Sequence, residues 1–250
     1  TTGLFNEADW QGQWIGLDKA APGDSETQWS RLAARYLRKE FALSKEVKRA
    51  TVHIAGMGLY ELFINGQRIG DQVLAPAPTD YRKTILYNTY DVTPQLRKEN
   101  AIGVTLGNGR FYTMRQNYKP YKIPTFGYPK LRLNLIVEYM DGSKETIATN
   151  TSWKLTTEGA IRSNNEYDGE EYDARKELGN WTQSGYDDKS WIAAQRVSIP
   201  SGTLRAQIMP GMKVMDTLKP VSIQKLGDKY ILDFGQNMAG GVRFRIKGQA

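Results

Sequence analysis

The chain contains no cysteine and a single histidine, His53. Thiol nucleophiles, disulfides, zinc fingers and iron–sulfur clusters all need cysteine, so none of them can be built within it. One histidine excludes a multi-histidine metal site, and a Ser-His-Asp triad would have to use His53. Long apolar runs are missing too. No stretch approaches the roughly 18–20 residues that a membrane helix requires, so no membrane partner is expected. The opening Thr-Thr-Gly-Leu-Phe has neither Met nor an apolar signal segment and reads as a processed start. Helical periodicity is scarce. What stays open is chemistry by carboxylates, Arg, Lys, Tyr and Trp, or binding without chemistry.

What is present is strand patterning. The 250 residues are 40% hydrophobic and 24% charged, ordinary for one large β domain or two smaller ones. Leu131, Leu133, Leu135, Val137 and Tyr139 alternate with Arg132, Asn134, Ile136, Glu138 and Met140. That alternation predicts a strand with one apolar and one mixed face, in a sheet packed on one side. Asp141-Gly142 predicts a tight turn after it. In Gly58-Leu-Tyr-Glu-Leu-Phe-Ile-Asn65-Gly66, the Asn-Gly pair supplies the two positive-φ residues of a type I′ hairpin. Gly227-Asp228 predicts a further hairpin between 221–226 and 229–234. More strands are expected at 36–43, 50–55, 84–90, 101–106 and 152–156, and a short helical turn at Thr93-Pro94, with Thr93 as its cap. His53 lies opposite Val52 and Ile54 on its strand and reads as a sheet-face residue rather than a catalytic one. Regular short strands with Gly, Asn and Asp turns predict an all-β protein, a jelly-roll β-sandwich. Pro200-Ser201-Gly202 marks a boundary between residues 1–200 and residues 204–250, the latter reading as the beginning of a second β-sandwich. With too few strands to close, that tail should pack on the main domain or self-associate with another copy.

Charge is segregated. No acid occurs between Glu99 and Glu138, an interval holding Arg110, Arg115, Lys119, Lys122, Lys130 and Arg132 among Phe111, Tyr112, Tyr118, Tyr121, Phe126 and Tyr128. Phosphate contacts and base stacking make nucleic acid one candidate partner, but a net charge of +7 is modest and no RRM or OB signature is present. The opposite segment holds Glu166, Asp168, Glu170, Glu171, Asp173 and Glu177. Paired carboxylates can do acid–base work on glycosides, yet nothing here names a partner with a raised pKa. A Ca²⁺ site drawing on these carboxylates and on Asn164 and Asn165 is at least as good a reading, without EF-hand spacing. The third reading is two solvated loops whose charges compensate. The Gly107-Asn108-Gly109 segment lacks the Lys-Ser/Thr ending of a P-loop and reads as a bend leaving a strand.

Several segments, in order, resemble the non-catalytic N-terminal region of bacterial α-L-rhamnosidases. These are Trp10-Gln-Gly-Gln-Trp14-Ile-Gly16, Arg38-Lys-Glu-Phe41, Ala55-Gly-Met-Gly58 through Asn65-Gly66, Pro78-Thr79-Asp80-Tyr81, Tyr90-Asp91-Val92-Thr93, Leu106-Gly107-Asn108-Gly109, Gly169-Glu170-Glu171-Tyr172-Asp173-Ala174-Arg175 and Asp233-Phe234-Gly235-Gln236-Asn237. The hairpin alone also resembles sugar-binding sandwiches of β-galactosidase-like enzymes. The resemblance implies a jelly-roll module, then a further β-sandwich, with the catalytic acids in a helical barrel beyond Ala250, so no catalytic residue is assigned within this chain. It implies a supporting or carbohydrate-binding role toward L-rhamnose-containing glycans, with the parent's catalytic domain as partner. No cofactor is required, and calcium is a candidate because some relatives bind rhamnose through it. A periplasmic or secreted location is likewise implied. The expected sugar-binding residues are Asp80, Tyr81, Asn108, Arg110, Glu171, Tyr172 and Asp173: carboxylates and amides for sugar hydroxyls, a guanidinium fork, and aromatic faces for the ring and its methyl group. The competing reading is an internal network of Tyr172, Asp173 and Arg175 in a module that binds nothing.

Overall fold

A computed structural model describes residues 3–4, 6–20, 32–112, 126–165 and 169–243. In chain order the strands are β1 (Ile15–Gly16), β2 (Arg35–Ala42), β3 (Val47–Met57), β4 (Leu59–Ile64), β5 (Gln67–Arg68), β6 (Thr84–Asp91), β7 (Glu99–Gly107), β8 (Lys130–Tyr139), β9 (Lys144–Ala148), β10 (Lys154–Thr156), β11 (Ile161–Asn165), β12 (Gly169–Tyr172), β13 (Ile192–Ala193), β14 (Gln195–Arg196), β15 (Thr203–Ala206), β16 (Ser222–Leu226) and β17 (Lys229–Asp233). One sheet runs β14-β1-β8-β3-β6-β15, with β9 also paired to β8; the other runs β13-β10-β2-β7-β4-β5. All these pairings are antiparallel except β15 with β6. The chain is an all-β sandwich.

The core follows from the alternation. Leu131, Leu133, Leu135 and Val137 of β8 and Val52 and Ile54 of β3 point inward against Leu37, Leu62, Ile64, Ile102, Val104 and Leu106 of the facing sheet. Each such side chain, fully buried, contributes about 1.5–3 kcal/mol. The Asn65-Gly66 hairpin forms as its residues require, with φ of 51° and 82°. At 140–143 only Gly142 has positive φ, and Tyr139 N–H reaches across to Ser143 O, so this turn is wider than a two-residue one. Thr93–Gln95 is a 3-10 helix with Val92 at the cap position. The capping acceptor is Asp91, which takes hydrogen bonds from Thr93 N and Oγ1, so Thr93 is capped rather than capping.

The sheet of β8 is not packed on one side only. Its outer face is covered by residues 6–14: Arg132 and Asn134 are buried, Arg132 donates to Gly12 O, and Asn134 accepts from Gly12 N and donates to Asp9 O. His53 is on the outer face, as expected, but lies beneath Trp10 and Tyr87 and is 3% exposed. The other sheet's outer face is covered by Trp181 and Trp191 packed on Tyr36. Arg38, 1% exposed, holds this cover down. It donates to Trp181 O at 2.9 Å and Gln183 O at 3.0 Å, pairs with Asp188 and Glu40, and lies over the Tyr186 ring.

The boundary expected at residues 200–204 is displaced. Thr203–Ala206 pairs with Thr84–Tyr87, and the first compact unit runs to Met212. Main-chain bonding of β15 to an existing edge outweighs the turn signal of Pro200-Ser201-Gly202. The second unit, from Lys213, contains the β16–β17 hairpin, with Ile223 opposite Leu232 and Lys225 opposite Tyr230.

Candidate functional site

Strand β7 ends in a bend that its residues dictate. A Cβ at Gly107 would lie 2.9 Å from Asn164 Oδ1, and Gly109 has φ of +49°. Asn108 between them is 2% exposed. Its N–H donates to Asn164 Oδ1 at 2.7 Å, and its Nδ2 donates to Asn164 O at 2.6 Å and Leu32 O at 3.2 Å. This pair fastens the bend to the β11–β12 hairpin. Two polar atoms of the same pair, Asn108 Oδ1 and Asn164 Nδ2, are buried without a hydrogen-bond partner among the described residues. A buried acceptor and donor left unmatched cost about 1–3 kcal/mol each.

The bend's other end faces an aromatic cluster. Asn108 O accepts from Phe111 N and Tyr112 N. Phe111 is fully buried, edge-on to Tyr81 at 5.0 Å and stacked with Phe126 at 5.9 Å. Tyr81 therefore adjoins the bend through Phe111, with Asp80 next to it in the chain, while Glu171 and Tyr172 lie in β12 of the hairpin bonded to the bend and Asp173 follows it.

Their side chains are committed to different degrees. Tyr81 is 3% exposed and its ring lies within the aromatic cluster, so it does not offer a face at the surface. Asp80 forks onto Arg82 at 3.0 and 3.2 Å, which lowers its carboxyl pKa. Asp173 accepts from the backbone N of Arg175 and from its guanidinium at 2.8 and 2.9 Å, and these bonds hold its carboxyl at about 2. Tyr172 is half exposed and its hydroxyl donates to Glu177. Arg110 and Glu171 are exposed. Glu170, opposite Asn164 in the hairpin, has its carboxyl pKa raised, first by loss of solvent and then by the charge of Glu61. Arg115, Tyr118, Lys119, Tyr121, Lys122, Glu166 and Asp168, on which the charge-segregation reading leaned, lie outside the described residues. Among the described residues no group of three or more His, Asp and Glu side chains is gathered for a metal.

The model of the alpha-L-rhamnosidase N-terminal domain matches residues 45–216. The chain belongs to the alpha-L-rhamnosidase N-terminal domain family. A curated alpha-L-rhamnosidase of Formosa agariphila is 38% identical to it over 98% of this chain and 28% of the relative. The solved alpha-L-rhamnosidase of Dictyoglumus thermophilum superposes with a TM-score of 0.81 at 42% identity, covering 94% of this chain and 27% of that one. The Streptomyces avermitilis alpha-L-rhamnosidase, solved in complex with L-rhamnose, superposes with a TM-score of 0.75 at 37% identity, covering 82% of this chain and 20% of that one. The rhamnosidase domain thus spans about a quarter of the length of the curated relatives it matches. Sequence reasoning offers Asn164 only as an amide oxygen for a cation, whereas the structure makes it the bonding partner of Asn108. The signal available was the Asn164-Asn165 doublet in an otherwise charged stretch.

Proposed function

We propose that this domain is a non-catalytic module of an α-L-rhamnosidase that recognises L-rhamnose-containing glycans at the Asn108 bend. The unmatched Asn108 Oδ1 and Asn164 Nδ2 carry the reading. A sugar hydroxyl both donates and accepts, so it suits a neighbouring amide acceptor and amide donor better than a simple ion does. Exposed Arg110, Glu171 and Tyr172 border the same bend and hairpin and are suited to a ring's remaining hydroxyls and its apolar face. A single buried amide oxygen does not make a calcium site, so the first form of this proposal is metal-free, and the calcium-dependent form is the alternative that the chelator arm below tests. Hydrolysis of the rhamnoside belongs to the parent's catalytic domain, which this module supports, in a periplasmic or secreted enzyme.

Titration calorimetry of the 250-residue chain with L-rhamnose, with and without Ca²⁺, tests the reading. We expect saturable binding that Asn164→Asp abolishes, since that change keeps the acceptor for Asn108 N–H and removes the Nδ2 donor. Binding lost with chelator establishes the calcium-dependent form. Absence of binding under both conditions would leave the second reading, a purely structural module. The Asp80–Arg82 and Asp173–Arg175 forks and the buried Tyr81 favour that alternative.

A further inference from the structure

A second concavity lies at the other end of β7, where the strand begins. It is a cleft of about 330 Å³ lined by Asn65, Arg97, Lys98, Glu99, Gln183 and Ser184. That volume falls at the lower end of the range for small-ligand sites, about 300–1,000 Å³. Its frame is fixed by bonds that leave little to reorganise. Asn65 Nδ2 donates to Gln95 O and Asn100 Oδ1, and Asn65 Oδ1 accepts from Ala101 N. Asn100 Oδ1 accepts from Arg97 N at 2.8 Å, and its Nδ2 returns to Arg97 O at 2.6 Å. Leu43 N–H holds Lys98 O, Gly66 N–H holds Thr182 O, and Arg38 holds Gln183 O. Gly66 also lets Gln183 approach: a Cβ there would lie 3.1 Å from Gln183 Nε2.

The frame is satisfied, whereas the groups it presents are not. The Arg97 guanidinium, Lys98 ammonium, Glu99 carboxylate, Gln183 carboxamide and Ser184 hydroxyl are exposed and have no hydrogen-bond or ion-pair partner among the described residues. Some surface cations of the same domain are neutralised by acids, as Lys45 is by Asp141 and Arg49 by Glu138; what sets Arg97 and Lys98 apart is that they stand together in a cleft. The lining has no aromatic ring, so stacking on an apolar sugar face is not how this cleft recognises anything. Two cations against one acid favour an anion. A bare inorganic anion would meet Glu99, whereas a saccharide can place its acid on Arg97 and Lys98 and its hydroxyl donors on Glu99 and Gln183.

We propose that this cleft is a second glycan contact, distinct from the Asn108 bend, that takes the carboxylate or sulfate substituent of an acidic saccharide. It does not depend on rhamnose recognition at the bend. The test is NMR titration of the ¹⁵N-labelled 250-residue chain with trigalacturonate, with sulfated maltotriose and with neutral maltotriose. We expect amide shifts at Gly66, Lys98, Glu99, Gln183 and Ser184 with one of the acidic trimers and none with maltotriose; which trimer acts distinguishes carboxylate from sulfate. Arg97→Ala/Lys98→Ala should weaken that binding about tenfold or more, since each charge-assisted bond exceeds one decade in affinity. Lys225→Ala/Lys229→Ala, with the same loss of charge away from the cleft, should leave it unchanged. The proposal is overturned by no shift at these residues with either acid, by equal shifts with maltotriose, or by equal weakening in the two double variants. L-rhamnose titration of the Arg97/Lys98 variant separates the two sites, because binding at the bend should survive in it.

Discussion

Two buried polar centres in this sandwich are built to opposite specifications. Arg38 is surrounded: carbonyls of Trp181 and Gln183 and carboxylates of Asp188 and Glu40 meet its guanidinium, with Tyr186 beneath. Asn108 is as deeply set, with half-buried Asn164 beside it, yet this pair keeps one buried acceptor and one buried donor unmatched among the described residues. The first centre turns a long loop into a fixed cover for a sheet. The second holds a bend in place while leaving polar capacity unspent. A buried group that is fully bonded explains fold, and one that is not asks for a partner.

The largest effect that would break this contrast is Arg38→Ala. It strands a partly exposed carboxylate and two carbonyls at the cover, and the lost bonds to a charged donor cost about 1.5–3 kcal/mol. Urea denaturation should show that loss, with Trp fluorescence reporting release of Trp181 and Trp191; a change under 1 kcal/mol would mean the cover is held by apolar packing alone. Gly107→Ala attacks the other centre. Its Cβ would push Asn164 Oδ1 off the Asn108 N–H, for about 1–3 kcal/mol in the same assay, and should lower rhamnose affinity as well.

Acid titration sharpens the contrast at smaller amplitude. Burial lowers the pKa of His53 below its ordinary value of 6.5. The neutral ring is therefore the folded form, and stability present above pH 6.5 declines as pH falls below it. As the chain's single histidine, it makes His53→Gln a clean control that should remove the decline from a pH series of melting temperatures. Smaller still is Asp173. Its carboxyl is held at about 2 by Arg175, so its contribution is complete above the ordinary carboxylate range and is lost as pH falls through about 2. Asp173→Asn should flatten only that most acidic part of the curve.

Legibility from sequence divided along similar lines. The inner faces were readable because β8 and β3 alternate cleanly and Asn65-Gly66 allows one kind of turn. The outer faces were not, because what covers Arg132, Asn134 and His53 is a segment around Trp10 that lies far away in the chain. The β11–β12 hairpin also escaped: Arg162-Ser-Asn-Asn and Gly169-Glu-Glu-Tyr carry no apolar stripe, and their order comes from strand pairing and from Asn108. Of the seven candidate site residues, the bend at Asn108 was legible through its flanking glycines. The burial of Tyr81 was not, since its partners Phe111 and Phe126 meet it only in three dimensions.

The measurement that bears most directly on the contrast is side-chain amide NMR during an L-rhamnose titration in the presence of Ca²⁺. Saturable shifts of the Asn164 and Asn108 carboxamide resonances, with the Arg38 guanidinium resonance unmoved, are the expected result. Unmoved Asn108 and Asn164 resonances at saturating rhamnose would contradict the assignment of this pair as the domain's recognition centre.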